Sequence, residues 1–580
     1  MSKLLKALWL KKSYLGSRPN RFSKVKEMSL QSSKIFFETT LTQDRITQTL
    51  ESAEWSDRSF DPIIDHWAAE RGEWVVITDR LGSMSWSELA SQVDEVSRGL
   101  LELGARPGTV VQIQLPNWRE FLIAVAAVER IGGVVNPVAP IFRANEVSTM
   151  SRLAKPSIVI TASNFRGFEL GAMHTGLRER CPWVKEVITT GDRPTPDAMT
   201  WEDLLEQGRF SSYDRAAVDL MRPGTNDVCE VMFTSGTTGQ PKGVMHTQNT
   251  LNAAVDSFAN TICVDLVAPT GNSEDRGFTF HMASTLAHQT GYLYGIRAPL
   301  TLGGHVVLQD VWDPIQFVEL IESHSIQISM GATPFLADVL ALEDLEERKL
   351  DSWKRFVCAG AAVPRPVLEE ADSRLSCVVL PGWGMTECGL LTVGRPDDPL
   401  EVRLADGRPL EGNSVRVIDE LGEPLLGTEG DLQCQGSLLF IGYVQGRELT
   451  ESSWDGPWFD TGDRAVMNDD GSIRITGRSK DIIIRGGENI PVKEVEDLLL
   501  RHPRVAGAAI VGKPDERLGE IGCVFIISSG EAPSLEDLLR FLEDEGITRQ
   551  FWPEDMVVVE EFPMTPSGKV QKYKLRETLG

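Results

Sequence analysis

The 580-residue chain has no apolar run of about 18 residues or more, so its sequence offers no segment able to span a bilayer as a helix. It has no surplus of positive charge either. Lys plus Arg number 58 against 84 Asp plus Glu, a net charge of −26. Nucleic acid is disfavoured as a main partner, because phosphate contacts need a basic face. The eight cysteines (Cys181, Cys229, Cys263, Cys358, Cys377, Cys388, Cys434 and Cys523) contain no C-x-x-C spacing. A disulfide framework or zinc site is therefore not expected, and a reducing, cytoplasmic setting is. Internal repeats and long low-complexity linkers are lacking too.

At this length one hydrophobic core is not enough, and at least two domains are expected. Residues 1–50 read as a basic N-terminal extension. Eight Lys and Arg residues from Lys3 to Lys26 precede the first acid, Glu27. This leader fits a disordered arm ahead of Met28, a transit peptide or a membrane-surface arm.

From about Trp74 onward apolar runs alternate with helical patterns. VVQIQL (110–115) reads as a buried strand, and Asn117 can cap the helix carrying Phe121, Val125, Val128 and Ile131. VVNPV (134–138) and IVIT (158–161) continue the alternation, which predicts α/β layers with mostly parallel strands. A boundary falls near Gly477–Lys480. Behind it DIIIR (481–485), VAGAAIV (505–511) and IGCVFII (521–527) read as strands. Pro491 suits a first helical turn, and Ser534 with Asp537 forms a capping box. The expectation is a large domain over 51–477, a short link at 478–480 and a small α+β domain over 481–580.

The most informative stretch is Phe233-Thr234-Ser235-Gly236-Thr237-Thr238-Gly239-Gln240-Pro241-Lys242-Gly243. Glycine- and hydroxyl-rich loops cradle phosphates, because backbone N–H groups approach closely and Ser/Thr add donors. Lys242 adds a point charge. A Walker A loop needs Gly before its Lys and Ser/Thr after it. Pro241 and Gly243 exclude that motif here. A merely flexible turn stays open on composition alone. TSGTTGQPKGV resembles the signature loop of the adenylate-forming superfamily, which includes acyl-CoA synthetases, peptide-synthetase adenylation domains and firefly luciferases.

The resemblance continues in order along the chain after about residue 50. It implies an α/β fold with a large N-terminal domain of layered sheets and helices, followed by a small mobile α+β C-terminal domain. Gly360-Ala361-Ala362 is similar to the family segment lying against adenine. Gly382-Trp383-Gly384-Met385-Thr386-Glu387 is similar to its aromatic-Gly-x-Thr-Glu motif, which implies that Trp383 stacks on adenine, Thr386 touches the α-phosphate and Glu387 holds Mg²⁺. Tyr is commoner than Trp at that place. Thr461-Gly462-Asp463 resembles the ribose-binding element. Gly477-Arg478-Ser479-Lys480-Asp481 resembles the hinge, with Arg478 reaching ribose and phosphates and Lys480 at the pivot. Arg485-Gly486-Gly487-Glu488-Asn489-Ile490 resembles the element lining the thiol tunnel, where Gly486 and Gly487 admit a slender pantetheine arm. Pro566-Ser567-Gly568-Lys569 resembles the motif whose lysine bridges the acid carboxylate and the α-phosphate.

The reaction so implied joins a carboxylic acid to the α-phosphate of ATP and then to CoA. Thr285-Leu286-Ala287-His288-Gln289-Thr290-Gly291 matches the acyl-pocket motif, with His288 at the gate of the carboxylate site and Thr285 in place of a frequent Pro. Met330-Gly331-Ala332, Gly384 and Cys388-Gly389-Leu390 should complete an apolar pocket. The wording AHQTGYLYG most resembles ligases for alicyclic acids of the cyclohexanecarboxylate–CoA ligase type and their medium-chain fatty-acid relatives. Aryl acids, a carrier protein as acceptor and a luciferase-like oxygenase are the alternatives.

Overall fold

The computed structural model describes residues 37–579, apart from 53, 235–240, 267–277, 361–362, 479–482, 486–487, 491, 516–518, 546, 548 and 565–568. Four sheets organise these residues. In the first, strands Val110–Gln114, Val134–Pro137, Ile158–Ala162 and Glu186–Thr190 run parallel, as the alternating pattern predicts. Its edge is the antiparallel hairpin of Val228–Thr234 and Lys242–Thr247. The second sheet has nine strands. Thr279–Met282, His305–Leu308, Ile328–Gly331, Arg355–Ala359 and Val378–Met385 form its parallel centre, and Gly389–Val393 pairs antiparallel to the last.

Two helices lie between these sheets. Arg119–Arg130 packs on strands of both, and every residue from Glu120 to Arg130 is buried. Gln248–Ile262 touches the phosphate-loop hairpin on one side and Gly389–Val393 on the other. Burying a Phe121- or Leu122-sized side chain contributes about 1.5–3 kcal/mol, and one continuous core runs through this region. Asn117 does not cap the first helix. Trp118 stands at the N-cap without a side-chain bond, and Asp79 Oδ2 accepts from the Arg119 N–H at 2.9 Å. Asn117 is turned inward instead, towards the 284–286 segment.

The third sheet departs from the expected parallel pattern. Strands Asn413–Ile418, Glu429–Gly436, Trp458–Met467 and Ile473–Arg478 pair antiparallel throughout. The connections 419–428 and 468–472 are too short for a parallel crossover, while the longer 437–457 connection carries helix Arg447–Ser452 and still returns the chain antiparallel. The fourth sheet belongs to the small C-terminal domain and has its own core. Val505–Asp515 and Gly519–Ser528 form its long hairpin, and Asp555–Val558 runs parallel to the latter. The expected capping box is present: Ser534 accepts from Asp537 N, and the Asp537 side chain accepts from Ser534 N. All eight cysteines are buried and none forms a disulfide. Among the described residues no helix is long and apolar enough to cross a membrane. Pro491 lies outside the described residues.

Candidate active site

The two ends of the glycine- and hydroxyl-rich stretch lie on the paired strands Val228–Thr234 and Lys242–Thr247. Thr234 and Lys242 are cross-strand partners, so antiparallel pairing brings both ends of the loop together. Ser235, Gly236, Thr237, Thr238 and Gly239 lie outside the described residues. Lys242 Nζ sits 5.0 Å from the centre of the Tyr443 ring, a cation–π arrangement. Tyr443 in turn donates from its hydroxyl to Glu387 Oε1 at 2.7 Å. Burial, and then the Glu387 carboxylate, push the Tyr443 phenol well up, so it keeps its proton and stays a donor. Glu387 is buried, and its backbone carbonyl accepts from Phe440 N at 2.8 Å. Tyr443 was not singled out by the sequence.

Trp383 and Asp463 meet directly. The indole N–H donates to Asp463 Oδ2 at 2.9 Å, with both residues buried. Asp463 lies in a strand, not a turn, opposite Arg478 in the register of the third sheet. Two residues far apart in their motifs are thus fixed side by side through the backbone. Gly382 and Gly384 have a packing reason as well. A Cβ at Gly384 would stand 2.0 Å from the Gly389 carbonyl, and one at Gly382 2.7 Å from that of Thr392. Gly360 closes its strand with φ +100°, a conformation that favours glycine. Ala361, Ala362, Lys480, Gly486 and Gly487, and the side chain of Arg478, lie outside what the structure describes.

His288 is the N-cap of the short helix Gln289–Gly291, and its Nδ1 accepts from Thr290 N at 3.4 Å. Burial, reinforced by the nearby Lys569 ammonium, lowers its pKa to about 4. The imidazole is neutral throughout the physiological range. The segment ahead of it is held by Asn117, which accepts from Leu286 N at 2.9 Å and donates to the Ser284 carbonyl at 3.0 Å. Thr285 Oγ1 accepts from Ala287 N at 3.3 Å, a contact proline could not supply.

Lys569 directly precedes Val570, which bridges Met564, and Gln571 N donates to the Pro563 carbonyl at 2.7 Å. The positive charge of Lys569 is felt at His288 on the large domain, where it adds to burial in lowering the imidazole's pKa. The neighbouring lysines are occupied otherwise. Lys572 pairs with Glu496 at 2.7 Å, and Lys574 lies over the Tyr573 ring. Arg485 is ion-paired with Glu554 inside the small domain.

The AMP-binding enzyme family model matches residues 64–444, and the model of its C-terminal domain matches 494–569. The medium-chain fatty-acid–CoA ligase of Escherichia coli K12 is 30% identical over 93% of this chain and 94% of its own length. A 3-[(3aS,4S,7aS)-7a-methyl-1,5-dioxo-octahydro-1H-inden-4-yl]propanoyl:CoA ligase of Rhodococcus jostii RHA1 is 29% identical, covering 88% of this chain and 96% of that protein. Among solved structures, an anthranilate CoA ligase in complex with anthranoyl-AMP superposes with a TM-score of 0.79 at 22% identity, over 90% of this chain and 97% of that one, a likeness of fold. With its ordered motifs and both domains matched, this chain belongs to the AMP-binding enzyme family, the adenylate-forming superfamily.

Proposed function

We propose that this protein is an AMP-forming acyl-CoA synthetase acting on an apolar monocarboxylic acid, either alicyclic or medium-chain. The observation that carries the reading is the joining of separate motifs by the Tyr443–Glu387 and Trp383–Asp463 hydrogen bonds, with the charge of Lys569 felt at His288.

A carboxylate is a poor electrophile, because oxide would have to leave. In the first half-reaction its oxygen attacks the α-phosphorus of ATP, and the bond to pyrophosphate breaks. Two anions approach each other, so stabilisation of developing charge is the main demand on the site. Lys569 sits between them, Thr386 touches the α-phosphate, and the 234–242 loop with Lys242 holds the β- and γ-phosphates. Gly360–Ala362 and Gly382–Gly384 flank the adenine, on which Trp383 stacks. Asp463 and Arg478 hold the ribose. Neutral His288 lines the carboxylate site without adding a second cation. No general base is required, since the acid is ionised at pH 7.

Mg²⁺ fits the donor set. Among the described residues no cluster of three or more His, Cys, Asp or Glu could cage a metal alone. A hard ion carried by phosphates and water needs one oriented carboxylate, and Tyr443 orients that of Glu387. When bound, it would neutralise phosphate charge.

In the second half-reaction the CoA thiolate attacks the acyl carbonyl and AMP leaves. The small domain turns about Lys480 in the 478–480 link, withdrawing Lys569 and bringing the Gly486–Gly487 element to the thiol path. Buried thiols without disulfides suit a cytoplasmic enzyme.

The acid class rests on the resemblance around His288 and on the two relatives named for a medium-chain and a polycyclic acid. A panel of cyclohexanecarboxylate, medium-chain and aryl acids, assayed for CoA-dependent AMP formation, is expected to favour the first two. A preference for aryl acids, or flat activity, would overturn this assignment. Asp463→Ala removes a charged acceptor held in place by Trp383. It is expected to raise the KM for ATP about 10-fold or more, with a smaller effect on the KM for the acid. Equal change in both would remove Asp463 from the ribose site.

A further inference from the structure

Glu230 and His246 are cross-strand partners on the hairpin that carries the phosphate loop, and both are buried. His246 Nε2 lies 2.9 Å from the Thr386 carbonyl oxygen, and its Nδ1 lies 3.1 Å from Thr250 Oγ1. Burial lowers the His246 pKa to about 4, so the neutral ring donates from Nε2. A second donor reaches the same carbonyl. Gln289 Nε2 stands 3.4 Å from it and donates to Glu230 Oε2 at 3.0 Å. One backbone oxygen, that of the residue before Glu387, therefore joins the phosphate-loop hairpin, the acid-binding segment and the Thr386–Glu387 motif.

We infer that Gln289 is a positioning residue for adenylation, locking His288 and Thr386 into one rigid unit through its contacts with Glu230 and the Thr386 carbonyl. The inference rests on the acyl-CoA synthetase reading. Two observations beyond the bonds support it. Glu230 Oε1 and Gln289 Oε1 are both buried and have no hydrogen-bond partner among the described residues. Two such acceptors left bare are costly, and a proton on Glu230 turns one of them into a donor. The surroundings favour that proton. Burial first, and the Glu129 carboxylate after it, raise the Glu230 pKa to about 8 against the opposing pull of Arg297 and the Gln289 amide. Among the described residues the charged or titratable groups around it are Glu129 on the central helix, Tyr292 and Arg297 beyond Gln289, and Cys229 and His246 on the hairpin. An acid held neutral by the fold favours the native state fully below its unfolded pKa, and this is lost as pH rises through about 8.

The experiment measures acid-dependent ATP–pyrophosphate exchange and, separately, thioester formation from supplied acyl-adenylate, with the full-length protein. Gln289→Leu is expected to lower kcat for exchange about 10- to 100-fold, the usual effect of losing an orienting partner, at nearly constant KM for ATP. Thioester formation should stay near wild type. Wild-type exchange is expected to fall above pH 8 as Glu230 ionises, and Glu230→Gln, which keeps an acceptor and a donor, should retain exchange at pH 7 without that fall. If Gln289→Leu does not accumulate folded, Gln289→Asn draws the amide back by one methylene and is read in the same way. Undiminished exchange in the Gln289 variants, equal loss in both half-reactions, or a Glu230→Gln variant as impaired as Gln289→Leu would overturn the inference. Absence of exchange in the wild-type protein would instead overturn the acyl-CoA synthetase reading.

Discussion

Lys569→Ala is expected to cut acid-dependent ATP–pyrophosphate exchange by about 10²–10³, while thioester formation from a supplied acyl-adenylate stays close to wild type. The magnitude is that of losing one preorganised electrostatic contact to the charge that builds up in the transition state, roughly 3–4 kcal/mol. The asymmetry follows from position. Lys569 sits on the small domain, and its charge, after burial, helps lower the pKa of His288 on the large one. Two nearby alternatives are engaged elsewhere, Lys572 with Glu496 and Lys574 over Tyr573, so neither can substitute without giving up a contact. On the proposed mechanism the lysine is withdrawn in the second half-reaction and would contribute nothing there. Lys569→Arg keeps the charge but spreads it over a planar fork, and should recover only part of the rate. Equal losses in both half-reactions would show that the substitution disturbs the fold or the nucleotide site instead.

The second large effect is on stability. Arg297→Leu is expected to cost about 3–5 kcal/mol, read as a lower midpoint in urea unfolding. Arg297 is fully buried at the end of the π-helix Tyr292–Arg297. It donates to Glu129 Oε1 at 2.7 Å, to Gln248 Oε1 at 2.7 Å and to Asn252 Oδ1 at 3.2 Å. Glu129 also accepts from Tyr292 at 3.0 Å and from Gln248 at 2.8 Å. Removing the guanidinium leaves a buried carboxylate without its counter-charge, while leucine fills only part of the space. The double variant Arg297→Leu with Glu129→Gln should be less destabilised than Arg297→Leu alone, because the orphaned charge is gone. A loss below about 1 kcal/mol in the single variant would mean that the cluster contributes little net stability.

The adenylate-forming motifs were legible because each combines unusual residue types over a short span. Their physical coupling was not. Asn117 looked like a helix cap, since it precedes an amphipathic run, yet it holds Leu286 and Ser284, about 170 residues away in sequence. Glu230 and His246 interrupt strands that otherwise read as apolar, and their partners are visible only once the hairpin register is known. Gln289 stood inside a quoted motif but carried no role, because a glutamine between His288 and Thr290 has no chemistry of its own to announce. The third sheet was missed for a related reason: its strands pair with near neighbours, and the short helix Arg447–Ser452 among them does not give the regular strand–helix alternation that makes parallel sheets visible.

The buried cysteines bear on the fate of the intermediate. Burial raises the pKa of all eight, with Cys523 pushed to about 11. A thiol attacks as its thiolate, so at neutral pH these groups are poor nucleophiles. Cys388 is the sharpest case, one residue from Glu387 and buried in the connection between strands Val378–Met385 and Gly389–Val393. An activated acyl group held nearby would meet protein sulfur in its unreactive form, and self-acylation would have no foothold. The enzyme competes with none of its own sulfur for the acyl group, which leaves the incoming thiol unrivalled.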